Sequence, residues 1–270
     1  MKIRGPTFVY FVSFCKNSFA SKFKVAIAKR FGFNARVRNP IIAALDVESA
    51  EKALKLAHEV GPGVGAFKVG SELFTSAGPE IVRELRRAGA SVFLDLKFHD
   101  IPNTVAKAVA AATRLNVQML TIHTGGGREM MRTAQESAAK TAKDCGWAPP
   151  LVLGVTVLTS MDGNTLAEVG LEPEMFAQVE RLAKLAVQAG LNGLVCSPLE
   201  IAGLRKVLPS AIQLVTPGIR VGTEKADDQK RTLTPREAMD AGANWLVVGR
   251  PIYAAANPRE SAEMILKTLA

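Results

Sequence analysis

At 270 residues, with 48% apolar and 22% charged residues, the chain has the composition of a soluble globular protein, which excludes the disordered and fibrous classes. Its three cysteines, Cys15, Cys145 and Cys196, are too few and too scattered for a disulfide framework or a CxxC metal site and fit a reducing cytoplasm; no apolar run reaches the roughly 18 residues of a membrane span. The net charge of +9 would suggest nucleic acid or a membrane surface as partner, were it spread over the whole chain.

It is not. Nine Lys or Arg fall within residues 1–38, no acid precedes Asp46, and the remainder balances 25 basic against 25 acidic residues. The same 38 residues hold seven of the twelve phenylalanines and lack the turn-and-strand rhythm of residues 39–270. They read as an appended, basic, Phe-rich extension, disordered or a targeting segment: Met1 to Arg4 before the apolar stretch Thr7 to Cys15 resembles a weak signal peptide, and the acid-free Lys, Arg, Ser and Phe mixture an organellar presequence. The functional domain is expected over residues 39–270.

From Pro40 onward, short apolar or β-branched runs alternate with amphipathic stretches at intervals of roughly 25 to 30 residues, the signature of successive βα units. Strands are predicted at Ile41 to Val47, Gly65 to Gly70, Ser91 to Lys97, Met119 to His123, Leu151 to Leu158, Gly193 to Ser197, Ile212 to Thr216 and Trp245 to Gly249. Helices are predicted between and after them, among others at Ser49 to Glu59, Pro79 to Ala88, Pro102 to Leu115, Arg128 to Lys143, Met175 to Ala189 and Pro258 to Leu269. Most of the strands are continuously apolar, as strands of a parallel sheet covered on both faces are. Eight units favour an α/β fold of the (β/α)8 TIM-barrel type in a single domain. A doubly wound open sheet is the alternative, but no GxGxxG follows the first strand.

Barrel enzymes carry their chemistry at the C-terminal ends of the strands. Here those ends offer Asp46, Lys68, Asp95 with Lys97, His123, Thr159 with Ser160, Ser197, Gly218 with Arg220, and Gly249 with Arg250. In the third strand, Asp95 and Lys97 are two residues apart and so share a face, Asp100 follows in the loop, and Pro102 suits the first position of a helix. A surface ion pair explains poorly why two charges should end an otherwise apolar strand inside a barrel mouth.

The run Asp95-Leu-Lys97-Phe-His-Asp100-Ile101-Pro-Asn-Thr104 resembles the D-x-K-x-x-D-I-x-x-T signature of the orotidine 5'-phosphate decarboxylase family, in its bacterial style. Similar to that family too are Ala44-Leu-Asp46-Val, Phe67-Lys68-Val-Gly70, Val155-Thr-Val-Leu-Thr159-Ser160-Met161, Thr216-Pro217-Gly-Ile-Arg220, Asp227-Asp-Gln229-Lys-Arg231 and Val248-Gly249-Arg250-Pro-Ile. The resemblance runs from Asn39 to the C-terminus and departs from the pattern at Val221, where proline is expected.

The resemblance implies conversion of orotidine 5'-monophosphate to UMP and CO2, the last step of de novo pyrimidine nucleotide synthesis, with neither metal nor organic cofactor. Lys97 would protonate C6, a task suited to a compact ammonium, while Asp95 would face the substrate carboxylate and hold Lys97. Asp46 and Lys68 would bind the ribose hydroxyls, and Thr159 and Ser160 the pyrimidine ring. Pro217, Arg220, Gln229, Gly249 and Arg250 would complete the substrate site, with Arg220, Gln229, Gly249 and Arg250 on the phosphate. Asp100, Ile101 and Thr104 would reach across a two-fold axis into a partner's site, which implies a homodimer with shared sites.

Three further readings stand beside this one. A sugar-phosphate decarboxylase or aldolase of the same superfamily shares the Asp-x-Lys-x-x-Asp element but uses Mg2+; Thr159-Ser160 and the run 227–231 favour the nucleotide enzyme. Outside enzymology, the basic extension could bind an anionic surface, with salt dependence. His99 and His123 lack HxH or HExxH spacing and read as hydrogen-bonded structure rather than metal ligands, and Gly125-Gly-Gly127 as a tight turn.

Overall fold

Eight parallel strands close into a barrel in chain order, each hydrogen-bonded to its sequence neighbours and β8 to β1, in a computed structural model that describes residues 39–221 and 232–269. The expected extension over residues 1–38, and Gln229, lie outside the described residues. The strands are β1 (Ile41–Ala44), β2 (Ala66–Gly70), β3 (Val92–Phe98), β4 (Met119–His123), β5 (Leu151–Val155), β6 (Gly193–Val195), β7 (Gln213–Thr216) and β8 (Trp245–Val248). All eight predicted strands are present, but β1, β5, β6 and β8 stop short of their predicted C-terminal ends. The run Leu151 to Leu158, for instance, leaves the ladder after Val155 although Val157 remains buried. Apolar character reports burial, and a buried loop at the rim reads like strand.

Between the strands lie α1 (Ala50–Val60), α2 (Ser71–Ala77), α3 (Glu80–Arg87), α4 (Pro102–Thr113), α5 (Gly127–Cys145), α6 (Gly163–Glu168), α7 (Met175–Gln188), α8 (Ile201–Val207), α9 (Pro235–Asp240), α10 (Arg250–Tyr253) and α11 (Pro258–Lys267). The six longest match the predicted helices to within about two residues; the five shorter ones, of four to seven residues, give too few turns to show a 3.6 period. Local chemistry starts several of them. Ser49 Oγ accepts the Lys52 N–H at the head of α1, Asn257 Oδ1 accepts the Glu260 N–H at the head of α11, and Thr234 and Glu237 form a reciprocal capping box before α9, each satisfying an orphan donor of the first turn. Among the described residues no helix is long and apolar enough to cross a membrane.

Strand alternation sorts the side chains into two cores. Ile41, Ala43, Phe67, Val69, Val92, Leu94, Leu120 and Leu246 face the helices. Ile42, Ala44, Ala66, Phe93, Met119, Leu153, Val215, Trp245 and Val247 pack with one another in the barrel interior, as the layered filling of such barrels requires. The interior phase, carried two residues further along each strand, arrives at Asp46, Lys68, Asp95, Thr121 and Gly249. The charges predicted at the strand ends therefore continue the interior rows upward into the mouth.

The bottom of the barrel is tightly closed. Gly65 donates its N–H to Ile41 O at 2.8 Å, and a Cβ on it would lie 2.0 Å from the Asn39 carbonyl oxygen, a backbone atom that cannot swing aside. Gly65→Ala is expected to destabilise the barrel by at least about 1–3 kcal/mol, read as a lower urea midpoint with an unchanged slope.

Candidate active site

Above the interior core, Asp46, Lys68, Asp95 and Lys97 stand as two cations and two anions in alternation. Lys68 Nζ donates to Asp46 Oδ1 at 2.8 Å and lies 3.9 Å from Asp95 Oδ2, while Lys97 Nζ donates to Asp95 Oδ1 at 2.9 Å. Lys68 keeps 11% and Asp95 14% of its side-chain surface. Charges so enclosed cost several kcal/mol to desolvate, a cost that close opposite charges and further hydrogen bonds must offset. Asp95 has both, because the hydroxyl of Thr121 also donates to its Oδ1, at 3.0 Å. Gly70 gives the chain room: a Cβ there would come within 2.9 Å of Lys68 Nζ.

The backbone of the Asp95–Lys97 pair is unusual. Lys97 has φ of 51°, a left-handed conformation that costs a lysine about 1–3 kcal/mol, and the pairing of β3 with β4 shifts register between Leu94 and Phe98. Asp95 and Lys97 thus meet through an ion pair across a bulged strand end, a different arrangement from the shared face of a regular strand expected from their spacing.

Seventeen of the described residues line a cavity of about 480 Å3 over this network. Nine of the predicted site residues are among them: Asp46, Lys68, Asp95, Lys97, Thr159, Pro217, Arg220, Gly249 and Arg250. Asp95 and Lys97 come from β3, whereas Arg220 follows β7 and Arg250 follows β8, the neighbour of β1 and so of Asp46. The turn below Arg220 is held by Gly218, with φ of 78°, and by the bonds Arg220 N–H to Leu233 O (3.0 Å) and Leu233 N–H to Gly218 O (3.3 Å). The same cavity is thus lined by paired charges and by two arginines, whose planar forks match a phosphate.

Four predicted residues stand apart from that wall. Asp100, Ile101, Thr104 and Ser160 are all exposed, Ile101 to 66%, and the Asp100 carboxylate accepts its neighbour's N–H, from Ile101, at 2.6 Å. Sequence reasoning missed Phe93, Val195 and Tyr253 in the lining and Thr121 beneath it. Phe93 and Thr121 were within reach, lying two residues before Asp95 and His123 on the interior phase; nothing marked Tyr253.

His123 ends β4 half-buried, its ring centroid 5.3 Å from that of His99 at an interplanar angle of 38°. Burial pushes its imidazole below the ordinary histidine range; the nearby His99 and Lys97 push the same way and Asp95 opposes them. Among the described residues no three His, Cys, Asp or Glu side chains gather in a metal-binding group.

Comparison with known proteins agrees on one family. The family profile described as "Orotidine 5'-phosphate decarboxylase / HUMPS family" matches residues 39–265. Orotidine 5'-phosphate decarboxylase of Pseudomonas fluorescens (strain Pf0-1) is 51% identical over 233 residues, 86% of this chain and 98% of that protein. The Opitutus terrae enzyme of the same name is 52% identical over 229 residues, 85% of this chain and 97% of that one. Among solved structures, orotidine 5'-phosphate decarboxylase from Lactobacillus acidophilus superposes with a TM-score of 0.77 at 36% identity, covering 86% of this chain and 99% of that one.

The lowered pKa of His123 has a consequence for stability. Unfolded, the ring takes up a proton near the ordinary value of about 6.5; folded, it does so only at lower pH, so between the two the unfolded chain binds more protons and stability falls as pH falls. An NMR titration should place the His123 midpoint below that of a histidine in the unfolded chain, and His123→Asn should flatten the loss of stability below about pH 6.5.

Proposed function

The chain belongs to the orotidine 5'-phosphate decarboxylase / HUMPS family, and from that premise we propose that it decarboxylates orotidine 5'-monophosphate to UMP and CO2 with Lys97 as the proton donor. The observation that carries this reading is the enclosed network of Lys68, Asp95 and Lys97 on the wall of a cavity that also exposes Arg220 and Arg250. A nucleotide monophosphate has the matching polarity, with a dianionic phosphate at one end and a carboxylated ring at the other. The family description also covers sugar-phosphate enzymes, but relatives about half identical over nearly their whole length are named orotidine 5'-phosphate decarboxylase.

In the proposed reaction the C6 carboxylate lies beside Asp95. Two like charges about 4 Å apart at an effective dielectric near 20 repel by roughly 4 kcal/mol, about three decades of rate. Enzymatic accelerations demand about 8–23 kcal/mol, so the larger share comes from stabilising the electron pair left on C6 when CO2 departs. The Lys97 ammonium faces that charge and delivers a proton to it; the resulting amine regains a proton from solvent. Asp46 and Lys68 hold the ribose hydroxyls, Thr159 and Ser160 meet the pyrimidine, Pro217 completes the substrate site, and Arg220, Gln229, Gly249 and Arg250 take the phosphate. Remote phosphate binding then helps orient the ring.

The exposure of Asp100, Ile101 and Thr104 supports their use by a second copy. We infer a homodimer with shared sites, in which Ile101 is covered by the partner and Asp100 extends the charge chain of the opposite cavity. A reducing cytoplasm suits such an enzyme and the thiols of Cys145 and Cys196.

The test follows the loss of orotidine 5'-monophosphate absorbance in EDTA. Wild type should convert it without added metal, and Lys97→Ala should lose at least about three decades in kcat while still binding UMP. Metal-dependent turnover of a sugar phosphate in place of the nucleotide would reverse the assignment. Arg250→Ala should raise KM by about 10- to 100-fold, the worth of a charge-assisted contact, with a smaller change in kcat.

A further inference from the structure

The decarboxylase reading gives no part to a buried hydroxyl that touches the charge network. Thr121, at 0% exposure, sits on β4 opposite the bulge of β3. The two strands pair at Phe93 with Met119 and Leu94 with Leu120, then again at Phe98 with Ile122, so β3 takes four steps where β4 takes two. The bulge takes residues 95–97 out of the pairing with β4. Past the bulge the Lys97 N–H donates to the side-chain oxygen of Thr121 at 2.9 Å rather than to a backbone carbonyl.

That hydroxyl has one proton, which it donates to Asp95 Oδ1 at 3.0 Å, the oxygen that also receives Lys97 Nζ at 2.9 Å. An ionised carboxylate and a backbone N–H leave only this direction for the bonds, since the first can only accept and the second only donate. Other buried threonine hydroxyls do ordinary duty on backbone carbonyls: Thr113 donates to Val109 O, Thr124 to Val155 O and Thr216 to Cys196 O. Thr121 differs in that both of its partners belong to the pair assigned to the chemistry.

We propose that Thr121 is a positioning residue of the reaction, whose hydroxyl clamps the left-handed Lys97 backbone and the Asp95 carboxylate to each other and so fixes where the Lys97 ammonium points. The proposal rests on the decarboxylase reading. Without the hydroxyl, the Lys97 N–H has no acceptor in the bulge, one donor is lost from Asp95, and the strand end is free to relax towards a regular conformation. The ribose and phosphate contacts lie on other residues and stay intact. A misplaced proton donor costs turnover, because reacting atoms must be held close to their attack geometry, while ground-state binding is little changed.

The test compares Thr121→Val, nearly isosteric but without the hydroxyl, with Thr121→Ser, which keeps it. The proposal expects Thr121→Val to lose about 10- to 100-fold in kcat, with KM and inhibition by UMP within about 3-fold of wild type, and Thr121→Ser to recover most of the lost turnover. Wild-type kcat in Thr121→Val, or equal losses in both variants, would overturn it. An inactive wild type would count against the decarboxylase reading instead. The clamp is then judged by a crystal structure of Thr121→Val: Lys97 leaving its left-handed conformation supports it, and unmoved Lys97 and Asp95 refute it.

Discussion

The carboxylate of Asp95 receives Lys97 Nζ and the Thr121 hydroxyl on one oxygen and faces Lys68 Nζ across 3.9 Å from the other. Several features around the cavity keep that partly buried anion satisfied. Lys68 is held in turn by Asp46, Gly70 leaves the space that Lys68 occupies, and β3 departs from regular pairing so that Lys97 can return onto Asp95. Desolvated charges of this kind are strongly destabilising when one partner is removed, so each member depends on the others. The left-handed strain at Lys97, about 1–3 kcal/mol, is borne because the network and the Thr121 bond specify that conformation from several directions.

A barrel suits this arrangement for a reason that lies in its geometry. Alternate residues of every strand point inward, and the interior is filled with apolar side chains as far as Phe93, Met119, Leu153 and Val247. Polar residues placed one step higher on the same rows emerge together at the mouth with a dry floor beneath them, where effective dielectric is low and electrostatic terms are correspondingly large. The arginines arrive from β7 and β8, whose ends close the circle against β1. Lys97 and the two arginines, proposed as proton donor and phosphate grip, thus line one cavity from different strands, although 153 positions separate Lys97 from Arg250.

Much of the candidate site was legible because its residues are charged and end apolar runs. A lysine or aspartate in such a place conflicts with burial unless something pairs with it, and that conflict can be read from one dimension. Thr121 carries no such mark: a threonine in a strand is ordinary, and only the bulge of β3 against β4 brings the Lys97 N–H onto its hydroxyl. Asp100, Ile101 and Thr104 were equally visible as a motif, yet their exposure in the single chain is a tertiary fact, and it is what supports the proposed second copy. The short helices and the ends of the strands were obscured by the same limit, since a few residues of apolar sequence record burial without saying which backbone bonds are made.

The sequence by itself determined that the chain alternates strand and helix eight times, that the charge excess lies before residue 39, and that Asp46, Lys68, Asp95, Lys97, Arg220 and Arg250 stand at strand ends. These come from local periodicity and from the cost of placing charge next to apolar runs, both of which act over a few residues. Only the tertiary structure decided that the sheet closes, that the four network charges meet within hydrogen-bond or ion-pair distance, that Lys97 takes a left-handed backbone and that Thr121 ties it to Asp95. Those depend on strand register and barrel closure, which are set by the packing of the whole interior, and no window of the chain contains them.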